Sequence, residues 1–183
     1  MDPLTIDLGK FPGKHNDYYS FLSWLASHFP PSARFVECGT HSGRGACALG
    51  AHGHQVDTYD TDPQSPLALP LHVRSHTLDC FEIPHSTLLK AALIYLDIDW
   101  HTGHTETLFY NKLKTIGYTG LLACDDIYLC KDYVPLHHPA YADSKMPDFW
   151  NAIDLPKLDT GRVAHDSGFG LVAFSPDIIL LGC

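Results

Sequence analysis

Positive charge is scarce in this sequence: 12 Lys and Arg stand against 21 Asp and Glu over 183 residues, a formal charge of -9. A phosphate backbone demands clustered cations, so nucleic-acid partners are disfavoured and small or neutral substrates favoured. No run approaches the ~20 consecutive apolar residues of a membrane span, and the opening "MDPLTIDLGKFPG" has neither a basic n-region nor an apolar h-region. The expectation is a soluble, cytoplasmic protein with no membrane partner. Six cysteines, Cys38, Cys47, Cys80, Cys124, Cys130 and Cys183, form no C-x-x-C pair and read as reduced, mostly buried small hydrophobes. No H-E-x-x-H helix accompanies the thirteen histidines, so "HGH" at His52 to His54 and "HTGH" at His101 to His104 read as surface or pocket histidines.

What is present suits one globular domain. Hydrophobic residues make up 45% and charged residues 18%, too apolar a balance for disorder. "NDYYSFLSWLASHF" predicts a helix capped by Asn16 or Asp17, with Phe21, Leu22 and Leu25 on one stripe, ending before Pro30. "ARFVEC" predicts a strand, "GRGACALGAHG" a short helix stopped by Gly50 or Gly53, "HQVDTYD" and "LHVRSHTLD" two more strands, and "PHSTLLKA" a short helix or loop. "ALIYLDID" and "GLLACDDI" are near-continuous apolar runs, as expected of strands buried on both faces, and a helix between them runs from Thr102 to Ile116 with Gly117 as stop. Residues Tyr128 to Asp159 read as an irregular binding loop or lid. The tail "GLVAFSPDIILLG" reads as a hairpin turning at Ser175-Pro176-Asp177. Alternating strands and helices imply a Rossmann-like, doubly wound α/β sheet, mostly parallel with a C-terminal antiparallel strand and helices on both faces.

Four strand ends carry acids: Glu37, Asp60, Asp97 with Asp99, and Asp125-Asp126. Ligands of open parallel sheets bind at the carboxyl ends of strands, so these acids should converge on one crevice. Glu37 enters a turn containing Gly39, Gly43 and Gly45. That order fits neither G-x-G-x-x-G nor G-K-S/T, and an acid beside the turn repels pyrophosphate but suits a cationic or amine-bearing ligand. Asp60, about 20 residues on, is placed to accept hydrogen bonds from ribose hydroxyls.

"VECGTHSGRGA", "VDTYDTD", "TLDCFE", "ALIYLDIDWH" and "GLLACDDIY" resemble, in order, the motifs of class I S-adenosylmethionine-dependent methyltransferases, and "SGFGLVAF" is similar to the family's last strand. His41 stands where the commoner first motif has a glycine. The wider G-x-x-x-G spacing resembles metal-dependent small-molecule and sugar O-methyltransferases. The resemblance implies a single domain with a helical cover (1–33), a cofactor core (34–127), an acceptor-side lid (128–160) and C-terminal strands (161–183). It implies S-adenosylmethionine contacts from Glu37 to the amino group, from Gly39, Thr40, His41 and Gly43 along the backbone, from Asp60 to ribose, and from Asp79 and Cys80 to adenine, with Asp97 alongside. It also implies Mg²⁺ or Mn²⁺ on Asp97, Asp125 and Asp126, whose hard oxygens suit such ions.

His101, Asp99 and Asp97 are the candidates for proton transfer from a small-molecule or sugar hydroxyl, with His165 a further histidine near the last strand. Tyr133, Tyr141, Phe149 and Trp150 are expected over the acceptor, although a hydrophobic cluster under a loop suits Phe149 and Trp150 equally. Two rivals stay open: a nicotinamide-dependent oxidoreductase and a non-catalytic nucleoside-binding module. Homo-oligomerisation is also open.

Overall fold

The computed structural model describes residues 3–13, 17–62, 68–130, 141, 143–161 and 166–182. Its centre is a seven-stranded sheet built from β2 (Arg34–Cys38), β3 (Gln55–Asp60), β4 (Val73–Thr77), β5 (Leu93–Leu96), β6 (Leu121–Asp125), β7 (Lys157–Asp159) and β8 (Phe169–Ala173), in the order β4-β3-β2-β5-β6-β8-β7. The first five are parallel; β8 lies antiparallel to β6, and β7 antiparallel to β8. A separate two-stranded parallel sheet pairs β1 (Leu4–Asp7) with β9 (Ile178–Leu181).

The hairpin expected at the C-terminus is therefore corrected. β8 has β6 on one edge and β7 on the other, so neither edge is open to β9, which pairs with the N-terminal strand instead. The irregular stretch expected from Tyr128 to Asp159 also contains structure: helix α5 (Met146–Ala152) and strand β7.

Alternation along the strands explains the two-sided core. In β5 all four residues are buried; Leu93 and Tyr95 face one layer while Ile94 and Leu96 face the other. The first layer is closed by α1 (Tyr18–Ala26), through Phe21, Leu22 and Leu25, and by α2 (Arg44–Leu49), through Ala46 and Leu49. The second is closed by α3 (His85–Leu88), α4 (His104–Ile116) and α5, through Leu88, Phe109, Leu113, Phe149 and Trp150. Asp17 caps α1 by accepting from the Ser20 amide at 3.2 Å, and Gly117 ends α4 in the left-handed region at φ 76. No described helix is long and apolar enough to cross a membrane. Among the described cysteines, Cys38, Cys80 and Cys124 are buried and none is disulfide-bonded.

The strand order fixes where a ligand can go. From β2 the chain steps outward to β3 and β4, then returns to β5 on the other side of β2. The crevice beyond the carboxyl ends of β2 and β5 is the topological switch point.

Candidate active site

Two loops meet at that crevice. Gly39, at φ 100, follows β2, and a Cβ on it would lie 1.7 Å from the Asp97 carbonyl oxygen, so a side chain there would separate β2 from the β5 loop. Gly45 serves Glu37 in the same way: a Cβ would come 2.2 Å from its Oε1. Glu37 is consequently sealed against α2, only 1% exposed. Thr58 donates to its Oε2, and the hydroxyls of Thr58 and Thr40 lie 2.6 Å apart. Burial pushes the Glu37 carboxyl well above the ordinary range; the Thr58 hydrogen bond opposes the rise, and Asp97 and Asp60 add to it.

Asp60 ends β3 and ties the glycine turn to it. Its Oδ2 accepts from the His41 amide at 2.8 Å and its Oδ1 from the Asp62 amide at 3.0 Å. His41 adopts φ 39, left-handed backbone that a glycine would enter without strain. Asp79 accepts from the Phe81 amide at 2.8 Å and so shapes the Cys80–Glu82 turn, which Lys112 of α4 holds by donating to the Phe81 carbonyl at 2.7 Å.

These loops enclose a cavity of about 650 Å³. Of the residues expected at the site, Glu37, Gly39, Thr40, His41, Asp60, Asp79, Cys80, Asp97, Asp99, His101, Asp125 and Asp126 all line it. Gly43 does not: it stands at the N-terminus of α2 with φ 79, its amide donating to the Thr40 carbonyl at 2.7 Å. Among the described residues the lining carries eight carboxylates, those of Glu37, Asp60, Asp62, Asp79, Asp97, Asp99, Asp125 and Asp126, and no Lys or Arg. Such a lining favours cations and repels phosphates.

At the β5–β6 end, one ligand-type atom from each of Asp97, His101 and Asp126 lies within 4.8 Å of the others. His101 is 4% exposed; its Nε2 is 3.2 Å from Asp126 Oδ2 and 3.9 Å from both Asp97 Oδ1 and Asp99 Oδ1. Asp125, expected in this trio, sits behind it: Tyr95 OH lies in donating reach of Asp125 Oδ2 at 3.1 Å and Asp97 Oδ2 at 3.0 Å, and the Asp126 amide donates to Asp125 Oδ1 at 2.9 Å. Burial, then the neighbouring Asp125, push the Asp97 carboxyl up to about 7, while His101 opposes the shift. Asp126 accepts from Ser167 Oγ, which the antiparallel register of β8 brings to this edge. Asp99 lies at the lip, its side chain 68% exposed, and accepts from Tyr141 OH at 3.2 Å.

Backbone strain gathers here as well. His41, His101 and Asp126 are the three non-glycine residues with positive φ among those described, and all three line the cavity. Such outliers cluster where surrounding structure holds a functional geometry.

Several lining residues carry no local sequence signal. Tyr18 and Tyr19 reach the cavity from α1, and Trp100, 60% exposed, from the loop after β5; Ser167 acts on the lining indirectly, by donating to Asp126 from the turn before β8. Tyr95 was recoverable, since it lies two residues before Asp97 on an alternating strand. Phe149 and Trp150 take the core alternative: both are buried, and a Cβ on Gly170 would meet the Trp150 ring at 2.5 Å. His52 and His54 stand apart from the cavity, His52 against Ser23 of α1 and His54 buried beside Phe35. Tyr133, His165, Asn16 and Cys183 lie outside the described residues.

No protein-family model and no curated protein sequence matches the chain. Solved structures do match in shape. A putative caffeoyl-CoA O-methyltransferase from Staphylococcus aureus superposes at TM-score 0.63 with 13% identity, over 91% of this chain and 87% of that one. The S-adenosylhomocysteine-bound methyltransferase PaMTH1 of Podospora anserina gives 0.59 with 14% identity, over 85% and 76%. The O-methyltransferase TomG of Streptomyces achromogenes, in complex with S-adenosylmethionine, gives 0.57 with 18% identity, over 85% and 78%. Together with the sheet order and the glycine-loop crevice, these likenesses show that the chain has the fold of class I S-adenosylmethionine-dependent methyltransferases.

Proposed function

We propose that this protein is an S-adenosylmethionine-dependent O-methyltransferase acting on a small-molecule or sugar hydroxyl, assisted by a divalent ion. The observation that carries the reading is the cavity itself, whose described lining has eight carboxylates and no Lys or Arg. A sulfonium cofactor with an ammonium group and a divalent cation are ligands such a wall favours. A nicotinamide dinucleotide, with its pyrophosphate, is one it repels. The cofactors named for PaMTH1 and TomG support the same choice.

In this reading Glu37 receives the cofactor's ammonium group, which offsets the desolvation of a buried carboxylate. Asp60, its oxygens already oriented by two amides, accepts from the ribose hydroxyls, and the Asp79–Cys80 turn borders the adenine. The residues that fit the ion are Asp97, His101 and Asp126, with Asp125 bracing them through Tyr95 and the Asp126 amide. Two carboxylates and an imidazole suit Mn²⁺ better than Mg²⁺, because nitrogen ligands favour the later divalent metals. When bound, the ion supplies Lewis acidity that makes a neighbouring hydroxyl easier to deprotonate. With His101 in the ligand group, Asp99 at the lip is the carboxylate left to take the hydroxyl proton. Tyr141 holds Asp99 there, and exposed Trp100 offers an aromatic face to the acceptor.

The test is S-adenosylhomocysteine formation across a panel of sugars, catechols and phenols, with Mn²⁺ and with chelator. The expected result is turnover on a hydroxyl acceptor that stops in chelator while cofactor binding persists. Undiminished turnover in chelator would remove the ion from the reading, and failure to bind S-adenosylmethionine would remove methyl transfer.

A further inference from the structure

Glu106 is the most deeply buried acid that this mechanism leaves unused. It lies in the first turn of α4, 2% exposed, and neither carboxylate oxygen has a hydrogen-bond partner among the described residues. Burial pushes its carboxyl above the ordinary range; the amides of Glu106 and Gly103 and the nearby His101 oppose the rise, but neither amide reaches hydrogen-bond geometry. An unsatisfied buried carboxylate is costly, so one retained in a core calls for a partner. The ionisable group in salt-bridge range is His101, whose Nδ1 lies 4.0 Å from Glu106 Oε1.

The opposite ring nitrogen faces the cavity. Nε2 of His101 looks toward Asp126, Asp97 and Asp99, and the Tyr141 ring centroid lies 5.7 Å from that of His101. The backbone on which the ring turns is fixed: His101 holds φ 44, and Ser144 donates to its carbonyl while also donating to the Leu129 carbonyl at 2.7 Å. The imidazole can therefore rotate about its own side-chain bonds but not travel. Closing 4.0 Å to the ~2.9 Å of a hydrogen bond needs about 1 Å of side-chain movement.

We propose that Glu106 is a positioning residue that accepts the Nδ1–H of His101 and so keeps the lone pair of the neutral ring on Nε2, facing the cavity. A lone pair there is what either a metal ligand or a proton acceptor requires, and a carboxylate behind a ligating histidine sets its tautomer and orientation. Asp126 competes for the single proton of the neutral ring from the other side, at 3.2 Å. Glu106 wins because Asp126 already accepts from Ser167, whereas Glu106 has no other donor in hydrogen-bond geometry among the described residues. The inference rests on the proposed work of His101 at the acidic end, yet the ring's tautomer can be read without cofactor, ion or acceptor.

The experiment is nitrogen NMR of the histidine rings in the full chain, with the His101 signals assigned by their loss in His101→Gln, and with pH raised until the ring is neutral. The expected spectrum shows Nδ1 protonated and Nε2 bare. Glu106→Met, of similar shape but with no acceptor, should move the proton to Nε2, and Glu106→Gln, whose amide carbonyl still accepts, should leave it on Nδ1. Mn²⁺ affinity, measured with the metal alone, should fall ~10–100-fold in Glu106→Met. A neutral wild-type ring protonated on Nε2 overturns the proposal by itself, even if Glu106→Met does not fold. An unchanged tautomer in a folded Glu106→Met overturns it too. Neither result bears on whether S-adenosylmethionine binds, so this failure is distinct from failure of the methyltransferase reading.

Discussion

At the glycine-turn end of the cavity every acid assigned to the cofactor has its own donor: Thr58 for Glu37, the amides of His41 and Asp62 for Asp60, and the Phe81 amide for Asp79. At the β5–β6 end the carboxylates crowd. Asp97 and Asp125 share one tyrosine hydroxyl, Asp97, Asp99 and Asp126 face the same imidazole nitrogen, and Glu106 behind the ring has no donor in hydrogen-bond geometry among the described residues. The first end is built from tight local turns and is complete without a ligand. The second concentrates negative charge around one histidine, and in the proposed reading a cation finishes its geometry. In the proposed reading, that difference is what lets one cavity take two chemically distinct guests side by side.

Breaking the acidic end should have the largest effect. Asp126→Asn and Asp97→Asn each remove a proposed ion ligand, so Mn²⁺ affinity should fall beyond the ~10–100-fold typical of groups one shell further out, and turnover should fall with it. For Asp126→Asn, calorimetry should show S-adenosylmethionine affinity little changed, because Glu37, Asp60 and Asp79 are at the other end. The reciprocal variant is Asp60→Ala. Hydrogen bonds to a charged acceptor are worth roughly 1.5–3 kcal/mol, so S-adenosylmethionine binding should weaken about tenfold or more while Mn²⁺ binding persists. Equal losses of both ligands in either variant would show that the two ends do not act separately.

Glu37→Gln should have a smaller and two-sided effect. The neutral amide loses the attraction for the cofactor's ammonium group and weakens binding, but it also removes a buried charge, so the ligand-free protein should melt at a slightly higher temperature. The remaining effect concerns pH. Asp97 has its folded-state pKa raised to about 7, so between about pH 4 and 7 the folded protein holds more protons than the unfolded chain. Stability of the ligand-free protein therefore falls as pH rises through that window and levels off above it. Thermal denaturation from pH 4 to 8 should show this slope, and Asp97→Asn should reduce it.

Much of the fold was legible because its signals are local. The buried runs at Leu93–Leu96 and Leu121–Asp125, the Asp17 cap of α1 and the Gly117 stop of α4 all lie in a few consecutive residues. What was missed depends on partners far away in sequence. Strand β1 is four residues long and exists through pairing with β9, and the hairpin expectation failed because β7 occupies the edge of β8 that β9 needed. Helix α5 did carry a pattern, with Met146, Phe149, Trp150 and Ile153 at helical spacing and a proline in its first turn, but it is surrounded by Pro and His that read as loop.

The site divides the same way. Acids at strand ends follow from the order of strands, so their convergence could be read before the structure. Which two of them, with which histidine, come within ligating distance depends on left-handed backbone at His101 and Asp126, which sequence pattern does not announce. Glu106 was overlooked because an acid in the first turn of a helix ordinarily faces solvent and favours the dipole. Only its burial beside His101 separates it from that role.

The central claim is that the anionic cavity accepts a cationic nucleoside cofactor and excludes a dinucleotide. Calorimetric titration in chelator with S-adenosylmethionine, S-adenosylhomocysteine and NAD tests it most directly. Both methionine nucleosides should bind without metal, with NAD giving no heat. Binding of NAD with no response to either methionine nucleoside would contradict it.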